Sequence, residues 1–368
     1  MAATDLEPEA WEDRCVHSES TLHQLSPFLG KMKSTMAKEL VSTVSEPGDT
    51  VLDPFSGSGT VPLEAAILQR SAIGIDRNPY SVLLSHAKLD PPESEEAAID
   101  RATVYLDEIE PIDEGPPDGT PDWVREFYHP KTLAGIEELA ERLRSNDEYF
   151  LLACLLGILH HQRPGFLSYP ASHLRPYLRN EKFPREEHPE RYEYREIRPR
   201  LIAKVERAYR RFPSFDDTLD RKVLVGDTPQ VMEESISRGC VDAIITSPPY
   251  MNKLDYGRDN RLRLYFLGID DYHELDGSPE SRDTYREFLD QFLCEAVRVL
   301  SSGSKLVFVL GESRRSGAAV DTSEVLIDMV KRDRYGLCID TALKDKVPVR
   351  KINSMSSEEE TILVLDKP

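Results

Sequence analysis

Two short motifs carry the residue types that could do chemistry in this chain, and about 190 residues separate them. The first motif, residues 53–60, reads DPFSGSGT, and the second, residues 246–250, reads TSPPY. Each follows an apolar run that is typical of a buried strand, at residues 50–52 and 241–245. The pattern predicts two neighbouring strand ends, where a glycine-rich turn would hold a cofactor and a Pro-Pro-aromatic turn would hold a flat substrate.

The first motif has the features of a ligand-binding turn. Its two glycines permit unusual backbone dihedrals and let a ligand approach the main chain closely, and the helix predicted after it would direct N–H groups at a carboxylate or at hydroxyls. Asp76 ends the next predicted strand, where an acid can accept hydrogen bonds from ribose hydroxyls. An ordinary Gly-Ser loop is the alternative. The motif is not a P-loop, because no Gly-Lys-Ser/Thr follows, and it is not a complete NAD fingerprint, because Pro62 stands where a third glycine would be needed.

The second motif suits a reaction at an exocyclic amine. Such an amine is a poor nucleophile because its lone pair is delocalised into the aromatic ring, and acceptors that bind its hydrogens can shift the nitrogen towards a tetrahedral geometry. Consecutive prolines stiffen the turn and leave carbonyl groups available as acceptors, and Tyr250 offers a face on which a base can stack. A tight turn after a buried strand is the alternative interpretation.

Together the motifs resemble those of the amino-methyltransferases that modify exocyclic nitrogens, and most of all those of DNA cytosine-N4 methyltransferases. In that family Asp-Pro-Phe-x-Gly-Ser-Gly-Thr is the cofactor motif and Ser-Pro-Pro-Tyr is the catalytic motif. Adenine-N6 enzymes and RNA guanine-N2 enzymes more often carry Asp or Asn where Ser247 stands, so this serine favours cytosine N4. The resemblance covers residues 22–90 and 222–368, including the segments 27–31 (PFLGK), 226–227 (GD), 250–256 (YMNKLDY) and 261–264 (RLRL).

The resemblance implies S-adenosylmethionine as the cofactor, double-stranded DNA as the partner, and direct methyl transfer to a flipped base without a metal or a covalent intermediate. It also implies a site-specific enzyme with a cognate restriction endonuclease encoded separately. The implied cofactor-binding residues are Lys31, Asp53, Pro54, Phe55, Ser56, Gly57, Ser58, Gly59, Thr60, Asp76 (at the ribose), Arg77 and Asp227 (near the adenine amine). The implied catalytic residues are Ser247, Pro248, Pro249 and Tyr250.

Composition excludes several classes of protein. The chain has 368 residues, of which 39% are hydrophobic and 30% are charged, as in soluble globular proteins. No apolar run approaches the roughly 20 residues that span a bilayer, and the first residues lack a signal-peptide core, so we expect a cytoplasmic protein without a membrane partner. The five cysteines form no zinc-ligand spacing, and none follows a proline, so the nucleophile motif of cytosine C5 methylation is missing.

Charge is unevenly distributed along the chain. The net charge is −20, but residues 91–150 hold 17 acidic and 5 basic residues, whereas residues 160–211 hold 13 basic and 7 acidic ones. Nucleic-acid binding needs local positive charge, so the basic stretch is the candidate interface, unless it is a solvated face paired with the acidic block. The predicted nucleic-acid-binding residues are Arg163, Arg175, Arg179 and Lys182, with Asn252, Lys253 and Tyr256 after the second motif.

Strands alternating with helices predict an α/β fold of the class I, Rossmann-like methyltransferase type, with a seven-stranded, mostly parallel sheet and an inserted helical subdomain. Residues 1–21 are predicted to be a polar N-terminal segment, residues 22–90 and 222–368 the catalytic domain, and residues 91–221 the inserted subdomain, a candidate for target recognition. Within the insertion, residues 91–122 and 164–200 are predicted to be irregular, and residues 130–163 and 199–212 helical. Two strands are predicted after residue 310, at residues 337–343 and 361–365.

Other functions compete with cytosine-N4 methylation. The related ones are methylation of guanine N2 in tRNA and of adenine N6 in DNA. A different class is a nucleic-acid-binding protein that keeps the fold without catalysis, and failure to bind cofactor would support it. A methyltransferase acting on a protein or a small molecule is the last alternative, and it would suit the acidic charge.

Overall fold

The computed structural model describes residues 4–6, 8, 11, 19–109, 115–249, 256–269, 271–272, 281–315, 318–332, 334–346 and 359–368, without the side chains of residues 256, 312–315, 318–321 and 346. The strands are β1 Thr50–Asp53, β2 Ser71–Asp76, β3 Arg221–Val225, β4 Val241–Thr246, β5 Leu300–Arg315, β6 Ala318–Asp321, β7 Cys338–Lys346 and β8 Glu359–Asp366. Seven of them form one sheet in the order β3-β2-β1-β4-β5-β8-β7, and β6 pairs with β5 alone. Strands β1 to β5 are parallel, and β8 runs antiparallel to both β5 and β7. This is the predicted seven-stranded, mostly parallel sheet of the class I methyltransferase fold.

Twelve α-helices accompany these strands in the described part of the chain. They are α1 Ser34–Val44, α2 Thr60–Ile67, α3 Pro79–Leu89, α4 Glu95–Asp107, α5 Asp122–Arg125, α6 Pro130–Ser145, α7 Tyr149–Gly157, α8 Ile197–Tyr209, α9 Thr228–Ser235, α10 Tyr256–Phe266, α11 Arg282–Val299 and α12 Thr322–Val330. Two 3-10 helices lie at Thr21–Gln24 and Pro189–Tyr192. Among the described helices, none is long and apolar enough to cross a membrane.

Helices cover both faces of the sheet. Successive side chains of a strand face opposite sides, so Leu52 and Ile244 pack in one buried cluster with α9, α11 and α12. Their neighbours Val51 and Ile245 pack in another cluster, with α1 and α2. Helices on both faces therefore hold the strand ends rigidly, as is needed where side chains must be positioned accurately for binding or catalysis.

The insertion between α3 and β3 shares its core with the rest of the molecule. Leu84 of α3 and Leu262 of α10 belong to the same buried cluster as Leu133 of α6, Leu155 of α7 and Leu201 of α8. The inserted helices are thus held against the helices that follow β2 and β4. The division of the chain at residues 91–221 stays a prediction.

The prediction for residues 91–122 was wrong, because α4 lies within that range. Ser94 caps the helix by accepting a hydrogen bond from the Ala97 N–H, and Ala98, Ala102 and Leu106 form its buried stripe. Apolar residues four positions apart were the sequence feature that could have predicted this helix, but the acidic composition around them obscured it. The range 130–163, predicted to be helical, contains the two helices α6 and α7, with a turn between them at Asp147, whose φ is 54°, and its helical part ends at Gly157. Strand β6 was missed.

Candidate active site at the strand ends

A cleft opens where β1, β2, β3 and β4 end. The order of strands reverses between β1 and β4, which pair side by side, and such a switch point is where ligands bind in open α/β sheets. The empty volume of the cleft is about 1090 Å³, including the part open to solvent. Its lining residues are Phe28, Gly30, Lys31, Met32, Asp53, Phe55, Ser56, Gly57, Ser58, Thr60, Val61, Asp76, Arg77, Asn78, Ser81, Asp227, Thr228, Ser247, Pro249 and Phe288.

The turn after β1 needs its glycines. Gly57 has φ 50° and Gly59 has φ 70°, both in the left-handed region that side chains disfavour. A Cβ at Gly59 would also come within 2.9 Å of the Ser85 Cα on α3. Gly59 is the N-cap of α2, so the close approach of two backbones fixes where this helix begins.

Asp76 joins the ends of β1 and β2. One oxygen of its carboxylate accepts a hydrogen bond from the Gly57 N–H at 2.8 Å, and the other accepts one from the Asn78 N–H at 2.8 Å. Burial raises the pKa of Asp76, although these hydrogen bonds oppose the shift. The carboxylate therefore both braces the turn and presents a half-buried acid to the cleft, with lone pairs left for a ligand.

Asp53 joins the first motif to the second. Its carboxylate accepts a hydrogen bond from the Thr246 hydroxyl at 2.7 Å and one from the Phe55 N–H at 3.2 Å. Thr246 is the last residue of β4, directly before Ser247. Burial raises the pKa of Asp53 to about 7, and the nearby Asp76 contributes. Residues far apart in the chain thus meet at adjacent strand ends.

The end of β3 is connected to the same turn. The Thr228 hydroxyl donates to the Pro54 carbonyl at 2.6 Å, and the Gly226 N–H donates to the Asp76 carbonyl at 3.1 Å. Asp227 lies between these two residues and lines the cleft. Its backbone position is consequently fixed relative to β1 and β2.

The segment before α1 closes one side of the cleft. Phe28 stacks on Tyr80 of α3, with ring centroids 5.9 Å apart. The Tyr80 hydroxyl donates to the Pro27 carbonyl at 2.7 Å. Lys31 donates to the His23 carbonyl at 3.1 Å, and burial lowers the pKa of Lys31. These contacts hold residues 27–31 over the glycine turn.

Sequence reasoning missed a buried layer beneath the turn. Lys88 of α3 is 2% exposed and donates to the Ser58 carbonyl, and burial lowers its pKa well below the usual value, with the charge of Lys31 adding to the shift. Beside it, the His23 ring lies 2.6 Å from the Glu64 carboxyl, whose pKa burial raises to about 7. A lysine and a glutamate on otherwise apolar helices were the sequence features that could have predicted this layer.

The structure brings most of the predicted cofactor-binding residues into the cleft. All of them line it except Pro54 and Gly59, which act through the backbone contacts described above. Ser247 and Pro249 line the cleft as well, and Pro248 is buried beside them. Tyr250, Asn252 and Lys253 lie outside the described residues, as does the side chain of Tyr256. Within the described ranges, no group of three or more His, Cys, Asp or Glu side chains is placed to hold a metal ion.

The predicted nucleic-acid-binding arginines do not line the cleft. Arg175 is paired with Asp259 of α10, at 2.8 Å between Nε and Oδ1, and Arg179 donates to the Gln162 side chain at 2.8 Å. Arg163 and Lys182 are exposed. The alternative to nucleic-acid binding was that the basic stretch pairs with the acidic block. Arg198 does so, because it forms an ion pair with Asp107.

Comparison with known proteins gives a family match for the first part of the chain. Residues 7–86, which include the cofactor motif, match the N6/N4 methyltransferase family, described as DNA methylase. Of the curated relatives, the type II methyltransferase M.BsoBI of Geobacillus stearothermophilus is 25% identical over 304 residues, or 72% of this chain. The type II methyltransferase M.XycI of Xanthomonas campestris pv. cyanopsidis is 43% identical over 67 residues, or 17% of this chain.

These relatives are longer than the regions they share with the chain. The chain spans 57% of M.BsoBI and 22% of M.XycI. Among solved structures, the rRNA methyltransferase aviRa of Streptomyces viridochromogenes matches 97% of this chain and 96% of its own, at 14% identity and a TM-score of 0.35, a likeness too low to add to the topology above. Residues 7–86 are thus similar to the N6/N4 DNA methylases, and the curated relatives of the chain are type II methyltransferases.

Proposed function

We propose that the chain is a DNA methyltransferase that transfers a methyl group from S-adenosylmethionine to the exocyclic N4 amine of cytosine in duplex DNA. The main support is the hydrogen bond of 2.7 Å between Thr246 and Asp53. It joins a strand end with the cofactor motif to a strand end with the catalytic motif, at the switch point of the sheet. The family match and the names of the relatives support the same activity. Site specificity, and a restriction endonuclease encoded separately, are part of this proposal.

The cleft fits a cationic, nucleoside-containing cofactor. Asp53 is buried and Asp76 half-buried, desolvation raises the pKa values of both carboxyls, and a sulfonium or ammonium group beside them would favour their charged forms. Ring atoms of Phe28 lie 3.5 Å from where a Cβ at Gly57 would be, which is ordinary van der Waals contact, so the positive φ of Gly57 is what favours glycine beside the ligand space. In this proposal Asp76 binds the ribose, Asp227 lies near the adenine amine, and Lys31 lies near the methionine part. When bound, S-adenosylmethionine supplies an electrophilic methyl group.

Residues of the second motif would orient the base. The Ser247 hydroxyl and the Pro248 carbonyl would accept hydrogen bonds from the exocyclic amine, which positions its lone pair for direct transfer. The Thr246 hydrogen bond and the two prolines hold these acceptors on a stiff turn. Tyr250 would stack on the flipped base, a role that rests on the sequence alone.

Adenine N6 is the second candidate target, because the matched family includes both N6 and N4 enzymes. Both bases present an exocyclic amine on an aromatic ring, so the acceptors at residues 247 and 248 would serve either one. Ser247 favours cytosine through the resemblance described above. A test must therefore identify the modified base.

The test is transfer of labelled methyl groups from S-adenosylmethionine to genomic DNA, followed by mass spectrometry of the nucleosides. We expect N4-methylcytosine from the wild type and its loss in Ser247→Ala, while Ser237→Ala, at an exposed serine before β4, retains activity. N6-methyladenine would keep the activity and overturn the base assignment. Label in tRNA instead of DNA would favour guanine N2, and label in neither, without cofactor binding, would refute the proposal.

A further inference from the structure

A small hairpin in the insertion exposes apolar side chains at its tip. Residues 171 and 178 form an antiparallel bridge, the Ser172 N–H donates to the Tyr177 carbonyl at 2.9 Å, and the Arg179 N–H donates to the Pro170 carbonyl at 2.8 Å. Within this hairpin, Leu174 is 42% exposed and Tyr177 is 51% exposed. We call residues 170–179 the anchored hairpin, for the contacts described next.

Side chains of α10 hold the backbone of the anchored hairpin. Arg263, 1% exposed, donates to the Leu174 carbonyl at 3.2 Å and to the His173 carbonyl at 3.3 Å. Arg261 donates to the Pro176 carbonyl at 3.4 Å, and Asp259 binds Arg175, as described above. The tip is therefore a fixed support for exposed apolar groups, and ordering it on a partner would cost little conformational entropy.

The anchored hairpin is connected to the wall of the cleft through α10. Its anchor, α10, follows the second motif and begins at Tyr256. The Arg263 guanidinium also lies over the Tyr80 ring, 5.6 Å from its centroid. Tyr80 in turn bonds to Pro27 and stacks on Phe28, which lines the cleft. Three contacts thus connect the hairpin backbone to the wall of the cleft.

The surroundings of the anchored hairpin favour a polyanion. Residues 149–180 contain three arginines and no Asp or Glu, in a chain whose net charge is −20. Asp259 lies against Arg175, but Arg163 is exposed and Arg179 flanks the tip, with its guanidinium 6.0 Å from the centroid of the Tyr177 ring. A positive region of this kind attracts nucleic-acid phosphates even when the whole protein is acidic.

We propose that the anchored hairpin is a wedge that inserts Leu174 and Tyr177 into the DNA duplex beside the target base. Apolar wedges unstack base steps, and an aromatic ring can replace the stacking that a flipped base leaves behind. Arg163 and Arg179 contact the flanking phosphates, whereas Arg175 keeps a positioning role through Asp259. This inference rests on the proposed function, because a wedge is needed only if the substrate base must leave a duplex.

The first test measures duplex binding without catalysis. Fluorescence anisotropy of a labelled, mixed-sequence duplex is compared for the wild type, the double variant Leu174→Ala/Tyr177→Ala, and Tyr194→Ala, which removes a tyrosine that is 53% exposed elsewhere in the insertion. The double variant should bind at least about tenfold more weakly, since stacking contributes roughly 1–3 kcal/mol per base. The control should stay within about twofold of the wild type. Equal binding by all three proteins would overturn the wedge.

The second test separates a wedge from a general nucleic-acid contact. Methyl transfer is measured on genomic DNA before and after heat denaturation. The double variant should lose activity on duplex DNA and regain most of it on denatured DNA, while its affinity for S-adenosylmethionine stays that of the wild type. Equal loss on both substrates would overturn the wedge. If the wild type methylates no nucleic acid, the proposed function is refuted. If duplex binding is still lost in the double variant, the contact between the hairpin and the duplex is nevertheless supported.

Discussion

The cleft and the insertion are organised by side chains of opposite charge. In the cleft, carboxylates such as Asp76 accept hydrogen bonds from backbone N–H groups at the strand ends. In the insertion, backbone carbonyls accept hydrogen bonds from guanidinium groups: those of residues 173 and 174 from Arg263 of α10, and that of Phe166 from Arg195 at 2.7 Å. In the proposals above, the carboxyls of the first region bind a cationic cofactor, with Lys31 and Arg77 also lining the cleft, and the arginines of the second region bind a polyanion. One acidic chain would thereby bind two ligands of opposite charge.

The largest expected effect is at the glycine turn. Gly59→Ala places a Cβ against the Ser85 backbone at a positive φ, which should lower the free energy of unfolding by about 3 kcal/mol and methyl transfer by at least about 100-fold. Urea unfolding measures the first effect, and transfer of labelled methyl groups from S-adenosylmethionine to DNA measures the second. Gly165→Ala, in open space in the insertion, is the control. Similar small effects of both substitutions would mean that the turn is not conformationally restricted.

A buried arginine of α10 that binds the insertion should come next. Arg263→Leu leaves the carbonyls of His173 and Leu174 without their donors, so we expect a loss of about 2–3 kcal/mol in the free energy of unfolding. Weaker duplex binding should accompany it, with cofactor affinity retained. Arg198→Leu removes an exposed pair with Asp107 and should cost at most about 1 kcal/mol. If cofactor affinity fell as much as duplex affinity, the two regions would not be separable.

The smallest effect is a pH dependence of cofactor binding. A cationic ligand favours the carboxylate form of Asp53, whose pKa lies at about 7. Affinity should therefore be fully developed above pH 7 and be lost as the pH falls below it, by about tenfold between pH 8 and pH 6. Titration calorimetry across this range measures the profile. Asp53→Asn should flatten it, and Thr246→Val should raise its midpoint, because the Thr246 hydrogen bond lowers the pKa of Asp53. An unchanged profile in Asp53→Asn would exclude this residue as the titrating group.

The two regions also differ in how well the sequence predicted them. Strand β4 was predicted from the apolar run at residues 241–245 and is observed at Val241–Thr246. The turns after β1 and β4 were located from their motifs, because glycine and proline set the backbone conformation locally. Contacts such as Arg263 to residue 173 depend on packing across 90 residues, which no local pattern encodes. Lys88 and Thr246 were missed for the same reason. Their partners, Ser58 and Asp53, become neighbours only when the sheet has formed.

The insertion lies between β2 and β3, two strands that pair with each other, and its length affects the conformational entropy lost when they pair. Strand β3 pairs with β2, yet the chain leaves β2 at Asp76 and returns at Arg221. Loop-closure entropy grows only with the logarithm of length, so extending a connection of roughly ten residues to more than a hundred adds only roughly 2 kcal/mol. The inserted helices offset this term by burying apolar side chains against α3, such as Leu133 and Leu155. A distant part of the chain can therefore supply the edge strand β3, provided that the inserted helices pack against α3, the helix after which the insertion begins.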